Sequence, residues 1–278
     1  MLALGLGLLA ALGWGTHDLL VRRIAPGARV LPQLAMVMTV AALVVAPFGL
    51  MRATTIPLIP LLFAIASGCT YCVASLCLYA AFARAPARLV APVIGSYPLP
   101  ALAFAALQGH QVTATAWLAA ALIVAGVAVV ATMGTVEDKR PHPAALPLAF
   151  AACLGLASAF ALGQEAATRI DPLVAASLAR AGGATLALIL QAFRPNGTRA
   201  ALRRWPVLLA MGGLDGAALT AVIASGALPD ASYAAVASSL FGVVTILLAW
   251  WLLGEKIRPL QGVGIALIFA GLGWLAWT

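Results

Sequence analysis

Residues 121–131 read ALIVAGVAVVA, and residues 266–276 read ALIFAGLGWLA. Five of the first six aligned positions are identical, at an offset of 145 residues. At the same offset Gly109-His110 falls on Gly254-Glu255, just ahead of each run. The chain therefore divides into halves of about 1–135 and 140–278, each closing with the same apolar segment. Outward from these two runs, ten apolar segments can be drawn: 2–21, 31–50, 57–82, 87–107, 115–133, 144–163, 172–193, 206–228, 231–252 and 260–277. Each is close to the roughly 20 residues that a helix needs to cross a bilayer. They are continuous rather than alternating, which excludes transmembrane β-strands. Five spans per half make the number odd, so the second copy inserts upside down. That is the inverted-repeat pattern of secondary transporters, with substrate held near the midplane between the halves. The expected fold is an all-α polytopic membrane protein of ten transmembrane helices in two inverted five-helix repeats.

Composition agrees. Of 278 residues, 64% are hydrophobic and 9% charged, against about 25% charged in a soluble domain. Mean hydropathy is +1.06. A soluble enzyme, a secreted disulfide scaffold and a disordered chain are all excluded. The net charge of +8 does not point to nucleic acid, because the basic residues stand in twos and threes between apolar runs. The heavy use of Ala and Arg suits a bacterial inner-membrane protein. The N-terminus opens directly in an apolar run without a basic leader region, so it reads as a first span rather than a cleaved signal. Cys69, Cys72 and Cys77 share one span and Cys153 lies in another. With no second pair and no nearby His, the Cys69-x-x-Cys72 spacing reads as small residues in a membrane helix rather than a metal or redox site.

Two five-helix halves, each ending in ALI-x-AG, resemble the drug/metabolite transporter superfamily of EamA type. Trp14-Gly15 in the first span, Leu253-Gly254-Glu255, Gln261-Gly262 and the run from Ala266 to Gly271 look like that family's motifs. Arg180 in span seven looks like its Arg early in the second helix of a repeat. The first half departs from the pattern: His110 stands where a Glu is usual, and span two has no Arg. Within the superfamily the chain looks most like the YddG-type exporters of aromatic amino acids. The resemblance implies export of aromatic or hydrophobic amino acids and related metabolites, or broader export of drugs and toxic metabolites on the same fold.

Charges at membrane depth are costly and usually face a cavity or a partner. Arg180 and Asp215 each sit near the middle of a span, at similar depth on antiparallel neighbours. They form either a structural ion pair or the walls of a polar cavity, with Arg suited to a carboxylate and Asp to an ammonium or a proton. His17 and Asp18 form a second polar spot. Asp18 stands four residues before Arg22, the spacing of an i,i+4 pair; alternatively, His17 and Asp18 couple transport to a proton, since His titrates near neutrality. Gln164-Glu165 occupies the comparable end of span six, which makes Glu165 a second coupling candidate or an interfacial residue. Trp14, Tyr71, Tyr79 and Tyr97 lie at depth, where a Tyr hydroxyl needs a partner, and are the candidate wall for an aromatic substrate. Trp205, Trp250, Trp251, Trp274 and Trp277 read as interface residues. Pro92, Pro98 and Pro100 break the backbone ladder of span four, as is tolerated beside a cavity.

No Walker motif appears, so no nucleotide cofactor is expected; nor is a metal, nor an enzymatic constellation. The expected partners are a small-molecule substrate, a coupling proton and the lipid bilayer, in a monomer or weak dimer. Orientation carries two opposed signals. Odd-numbered loops hold thirteen basic residues, Arg22, Arg23, Arg29, Arg84, Arg88, Lys139, Arg140, Arg194, Arg199, Arg203, Arg204, Lys256 and Arg258, while even-numbered loops hold Arg52 and Arg169. The positive-inside rule then puts both termini outside, whereas the resembled family is described with cytoplasmic termini.

Overall fold

Apolar runs with so few charges can satisfy their backbone in a bilayer only as helices or closed barrels, and the helical solution is the one observed. The computed structural model describes residues 2–52, 55–100, 103, 113–132, 142–228, 234, 237–255 and 257–277. Among these, every regular element is a helix. The first half contributes α1 (Leu2–Ile24), α2 (Val30–Leu50), α3 (Leu58–Phe82), α4 (Ala87–Gly95) and α5 (Ala114–Thr132). The second contributes α6 (Ala145–Ala167), α7 (Pro172–Phe193), a single-turn α8 (Thr198–Leu202), α9 (Trp205–Ser225), α10 (Phe241–Leu253) and α11 (Pro259–Trp277).

Among the described residues, six of these helices are long and apolar enough to cross a membrane: α1, α2, α3, α6, α7 and α9. Three shorter apolar stretches, Trp117–Gly126, Ala237–Leu253 and Pro259–Gly271, accompany them. The expected fourth span, 87–107, is not one uninterrupted helix. α4 ends at Gly95, a turn follows at Ser96 and Tyr97, and helix resumes at Pro98. Pro92, expected to break the ladder as well, lies inside α4 without ending it; the break falls at Ser96 and Tyr97, just ahead of Pro98, which lacks the N–H that a continuing ladder needs. α8, inside the polar stretch after Arg194, is an addition to the expected elements. Local signals set other ends: Asp171 caps α7 by accepting from Leu173 N at 2.9 Å and Val174 N at 3.4 Å, with Pro172 in the first turn.

Large apolar side chains line the outside. Leu8, Leu12, Leu43, Phe48, Leu62, Leu188 and Leu247 are all exposed, the surface of a chain whose solvent is lipid. The interior is built from small residues; Ala, Gly and Ser dominate the buried faces of α1, α3, α6 and α7. Small residues let helices approach until backbone touches backbone. Hydroxyls then bond across the gap, as Ser67 Oγ does to Ala159 O at 2.7 Å and Ser177 Oγ to Val45 O at 3.1 Å.

Packing between the halves is reciprocal. α1 lies against α9 and α10, and α6 lies against α3 and α4; α2 pairs with α7, and α5 with α11. The repeated motif sits in this last pair. A Cβ added at Gly126 would meet Gly264 O at 2.6 Å and Ile268 Cγ1 at 2.7 Å; one added at Gly271 would meet Ala119 O at 2.9 Å and Ile123 Cγ1 at 2.7 Å. These partners are themselves 145 positions apart, so the two glycines make one contact twice, with the halves exchanged.

Candidate functional site

A buried polar group lies where α1, α3, α7 and α9 meet. Asp215 of α9, 2% exposed, gathers the donors. Arg180 Nη1 of α7 donates to its Oδ2 at 2.6 Å. Trp14 Nε1 of α1 donates to Oδ1 at 3.0 Å, and the Tyr71 hydroxyl of α3 donates to the same oxygen. Arg180 Nη2 also donates to the Asp215 carbonyl, and the guanidinium carbon lies 5.0 Å from the centre of the Tyr71 ring. Four helices are tied at one carboxylate. A buried ion pair is tolerable only when further hydrogen bonds satisfy both partners, and Trp14 and Tyr71 supply them for Asp215.

About one turn further along α1, His17 bridges Asp18 and Tyr79: Nδ1 is 2.9 Å from Asp18 Oδ1 and Nε2 is 3.0 Å from the Tyr79 hydroxyl. The i,i+4 pair between Asp18 and Arg22 is not formed. Asp18 points inward and is 2% exposed, while Arg22 turns outward to Glu255, Nε to Oε1 at 2.8 Å. α1 continues to Ile24, so Asp18 lies deeper in the helix than a span ending at residue 21 implies.

An aromatic wall faces these groups. Trp14 stacks on Phe160 with centroids 5.2 Å apart. Tyr97 meets Phe160 edge-on at 5.0 Å and stacks on Phe241 at 6.5 Å, while its hydroxyl bonds Ser238 Oγ. Trp14, His17, Asp18, Tyr71, Phe160 and Phe241 enclose a cavity of only about 10 Å³. That is room for roughly one water, far below the roughly 300–1,000 Å³ of a ligand pocket. Two polar atoms here are buried without a hydrogen-bond partner, Asp18 Oδ2 and Arg180 Nε: one acceptor and one cationic donor.

The chain matches the model of the EamA-like transporter family twice, over residues 1–132 and 143–277. The chain belongs to that family. It is therefore a multi-pass membrane transporter of the drug/metabolite transporter type, with the EamA unit repeated. No curated protein matches it. This EamA-family chain also superposes on a solved crystal structure with a TM-score of 0.66, covering 98% of this chain and 95% of that one at 18% sequence identity; a likeness at that identity speaks for the fold alone.

Of the residues singled out in the sequence, Trp14, Tyr71, Arg180 and Asp215 form one hydrogen-bonded group, and His17, Asp18 and Tyr79 form another beside it. Tyr97 does not line the cavity itself but packs on Phe160 and Phe241, which do. Glu165 stands apart, near the surface and paired with Arg169 on its own helix at 2.6 Å. Trp205, Trp250, Trp251 and Trp274 are exposed. The four cysteines are free thiols. His110 lies outside the described residues. Sequence reasoning missed Phe160, Phe241 and Ser238, which carry no contrast with their apolar neighbours. It quoted Glu255 only as part of a motif. The structure gives Glu255 partners on two other elements: Arg22 of α1, and the Ala87 N–H at the start of α4, 2.9 Å away. Arg22 Nη1 in turn donates to Phe82 O at the end of α3, at 3.2 Å. This clamp draws together the ends of α1, α3, α4 and α10.

Proposed function

We propose that this protein is a secondary transporter of the bacterial inner membrane that exports amino acids, aromatic or hydrophobic in kind, and related small metabolites. It crosses the membrane ten times as two inverted five-helix halves, about 1–135 and 140–278, and works by alternating access between them. The observation that carries this reading is the pair of buried, unpartnered atoms of opposite character, Arg180 Nε and Asp18 Oδ2, beside an aromatic wall. Buried polar groups rarely go unpaired. A zwitterion supplies what both lack: a carboxylate that competes with Asp215 for the Arg180 fork, and an ammonium for Asp18. An aromatic side chain then lies against Trp14, Phe160 and Tyr97. His17, between Asp18 and the Tyr79 hydroxyl, is the group through which a proton couples to this exchange. A cavity of about 10 Å³ admits such a substrate only when the helices around it part, which supports a mechanism with moving halves.

The same aromatic wall with an unpartnered carboxylate oxygen also favours a second reading, export of cationic drugs. Uptake into proteoliposomes separates the two. With a substrate panel and an imposed proton gradient, the amino-acid reading expects uptake of L-phenylalanine and L-tryptophan, and smaller uptake once Tyr97→Ala removes part of the wall. Transport restricted to a cationic dye such as ethidium would favour the second reading and sink the first.

A further inference from the structure

Two clefts open at the end of the bundle where α1 passes into α2. One, of about 590 Å³, is lined by Arg29, Arg84, His142 and Arg194 among others. The other, of about 400 Å³, is lined by Arg29, Gln33, Arg203 and Arg204. They share Gly27, Ala28 and Arg29, so Arg29 stands between them. Among the described residues no Asp or Glu lines either cleft. Among the described residues none of Arg29, Arg84, Arg194 and Arg203 enters an ion pair. Like charges converging on one mouth repel unless an anion lies between them. The N-terminal end of α2, which begins after Arg29 without a side-chain cap, adds the positive end of its dipole. The α7–α8 turn sits flush on this arginine: a Cβ at Gly197 would lie 2.8 Å from Arg29 Cδ.

Beneath these charges is a group of the opposite need. Gln33, in the wall of the second cleft, is 2% exposed, and its Oε1 is buried with no partner. A buried acceptor calls for a donor, and the arginines supply none to it. We propose that the second cleft is a binding site, separate from the central cavity, for a small zwitterion: its anionic group lies between Arg29, Arg203 and Arg204, and its ammonium donates to Gln33 Oε1. This chemistry has two sources, the phosphoethanolamine head group of a lipid or a free ammonium-bearing metabolite. A phosphocholine head group does not fit, because its quaternary nitrogen has no N–H to give. The site does not depend on what the central cavity carries.

The test is calorimetric titration of the full chain in neutral detergent at low salt with O-phosphoethanolamine and with inorganic phosphate. O-phosphoethanolamine is expected to bind at least about tenfold more tightly, the worth of one hydrogen bond from a charged donor. Replacing the exposed pair, Arg29→Ala with Arg203→Ala, is expected to weaken it at least about tenfold again by removing the charge-assisted bonds; Gln33→Leu is expected to erase the preference over phosphate. Unchanged binding in the double arginine variant, or phosphate binding as tightly as O-phosphoethanolamine, overturns the proposal. Repeating the titration in phosphatidylcholine nanodiscs with and without phosphatidylethanolamine identifies the source: binding suppressed by phosphatidylethanolamine supports a lipid head group as occupant, and binding that persists supports a soluble zwitterion.

Discussion

Asp215 shows how a carboxylate survives at the centre of a hydrophobic bundle. Its side-chain oxygens accept from Arg180, Trp14 and Tyr71, so the cost of leaving water is offset by three donors, one of them charged. Breaking such a pair from one side leaves an unpaired buried charge, at a cost of about 3–5 kcal/mol, while replacing both partners is often neutral. Arg180→Gln and Asp215→Asn are therefore each expected to lower the thermal unfolding midpoint in detergent sharply, and the double variant to recover most of the loss. Strictly additive losses would show that the two side chains are stabilised independently. Arg180 and Asp215 were legible in the sequence because a charge stands out in an apolar run. The Trp14–Asp215 bond was not, because it joins residues 201 positions apart and only tertiary packing creates it. Asp18 and Arg22 misled for a related reason: spacing shows which side chains share a helix face, not which neighbour each one meets. Asp18 met His17 on the inner side, and Arg22 met Glu255.

At the scale of elements, the repeated ALI-x-AG segment has a packing cause. Gly126 and Gly271 are the points where α5 and α11 touch, each against the other helix's carbonyl and isoleucine. Gly271→Val is expected to force the pair apart and to destabilise by about 1–3 kcal/mol, as overpacking does. Gly262→Ala, on the same helix but with nothing within 4 Å of its added Cβ, is expected to be neutral or to stabilise by roughly 0.5–1 kcal/mol from helix propensity alone. Equal effects at the two sites would detach the motif from packing. The Arg22–Glu255 clamp makes a similar point. Its partners are half-buried and joined to backbone groups of α3 and α4. A double-mutant cycle with Arg22→Ala and Glu255→Gln is expected to give a coupling of about 0.5–3 kcal/mol, the range for contacting residues; coupling near zero would reduce it to a surface pair. Span boundaries were readable to within a few residues where the apolar run was unbroken. They failed at span four, where the helix breaks ahead of Pro98 in a run that hydropathy alone reads as continuous, at span nine, where a turn at Leu240 precedes α10, and at α6, which runs on to Ala167 through Gln164 and Glu165.

For the whole molecule, the basic residues predict how it sits in the membrane. Arg29, Arg84, Arg194, Arg203 and Arg204 surround the mouth at one end, and charge of that sign is retained in the cytoplasm. With the ten spans proposed above, both termini are then expected outside. A C-terminal phosphatase fusion is expected to be active and a C-terminal green fluorescent fusion dark; the reverse pattern would show that family habit outweighs the charge bias. Membership of a transporter family was readable from composition, repeat and motif, because each is a property of the linear chain. The aromatic cavity was not, because its walls come from four separate helices, α1, α3, α6 and α10, and neither Phe160 nor Phe241 differs from its neighbours in kind.

Substrate handling at the Arg180–Asp215 pair is tested most directly by exchange of radiolabelled L-phenylalanine across proteoliposomes, comparing the wild type with the Arg180→Gln, Asp215→Asn double variant at equal insertion and matched thermal stability. The expected result is a stable double variant whose exchange falls at least about tenfold, the equivalent of about 1.4 kcal/mol or more. A stable double variant that exchanges phenylalanine as fast as the wild type would contradict it, and would leave the pair as a structural tie between α7 and α9.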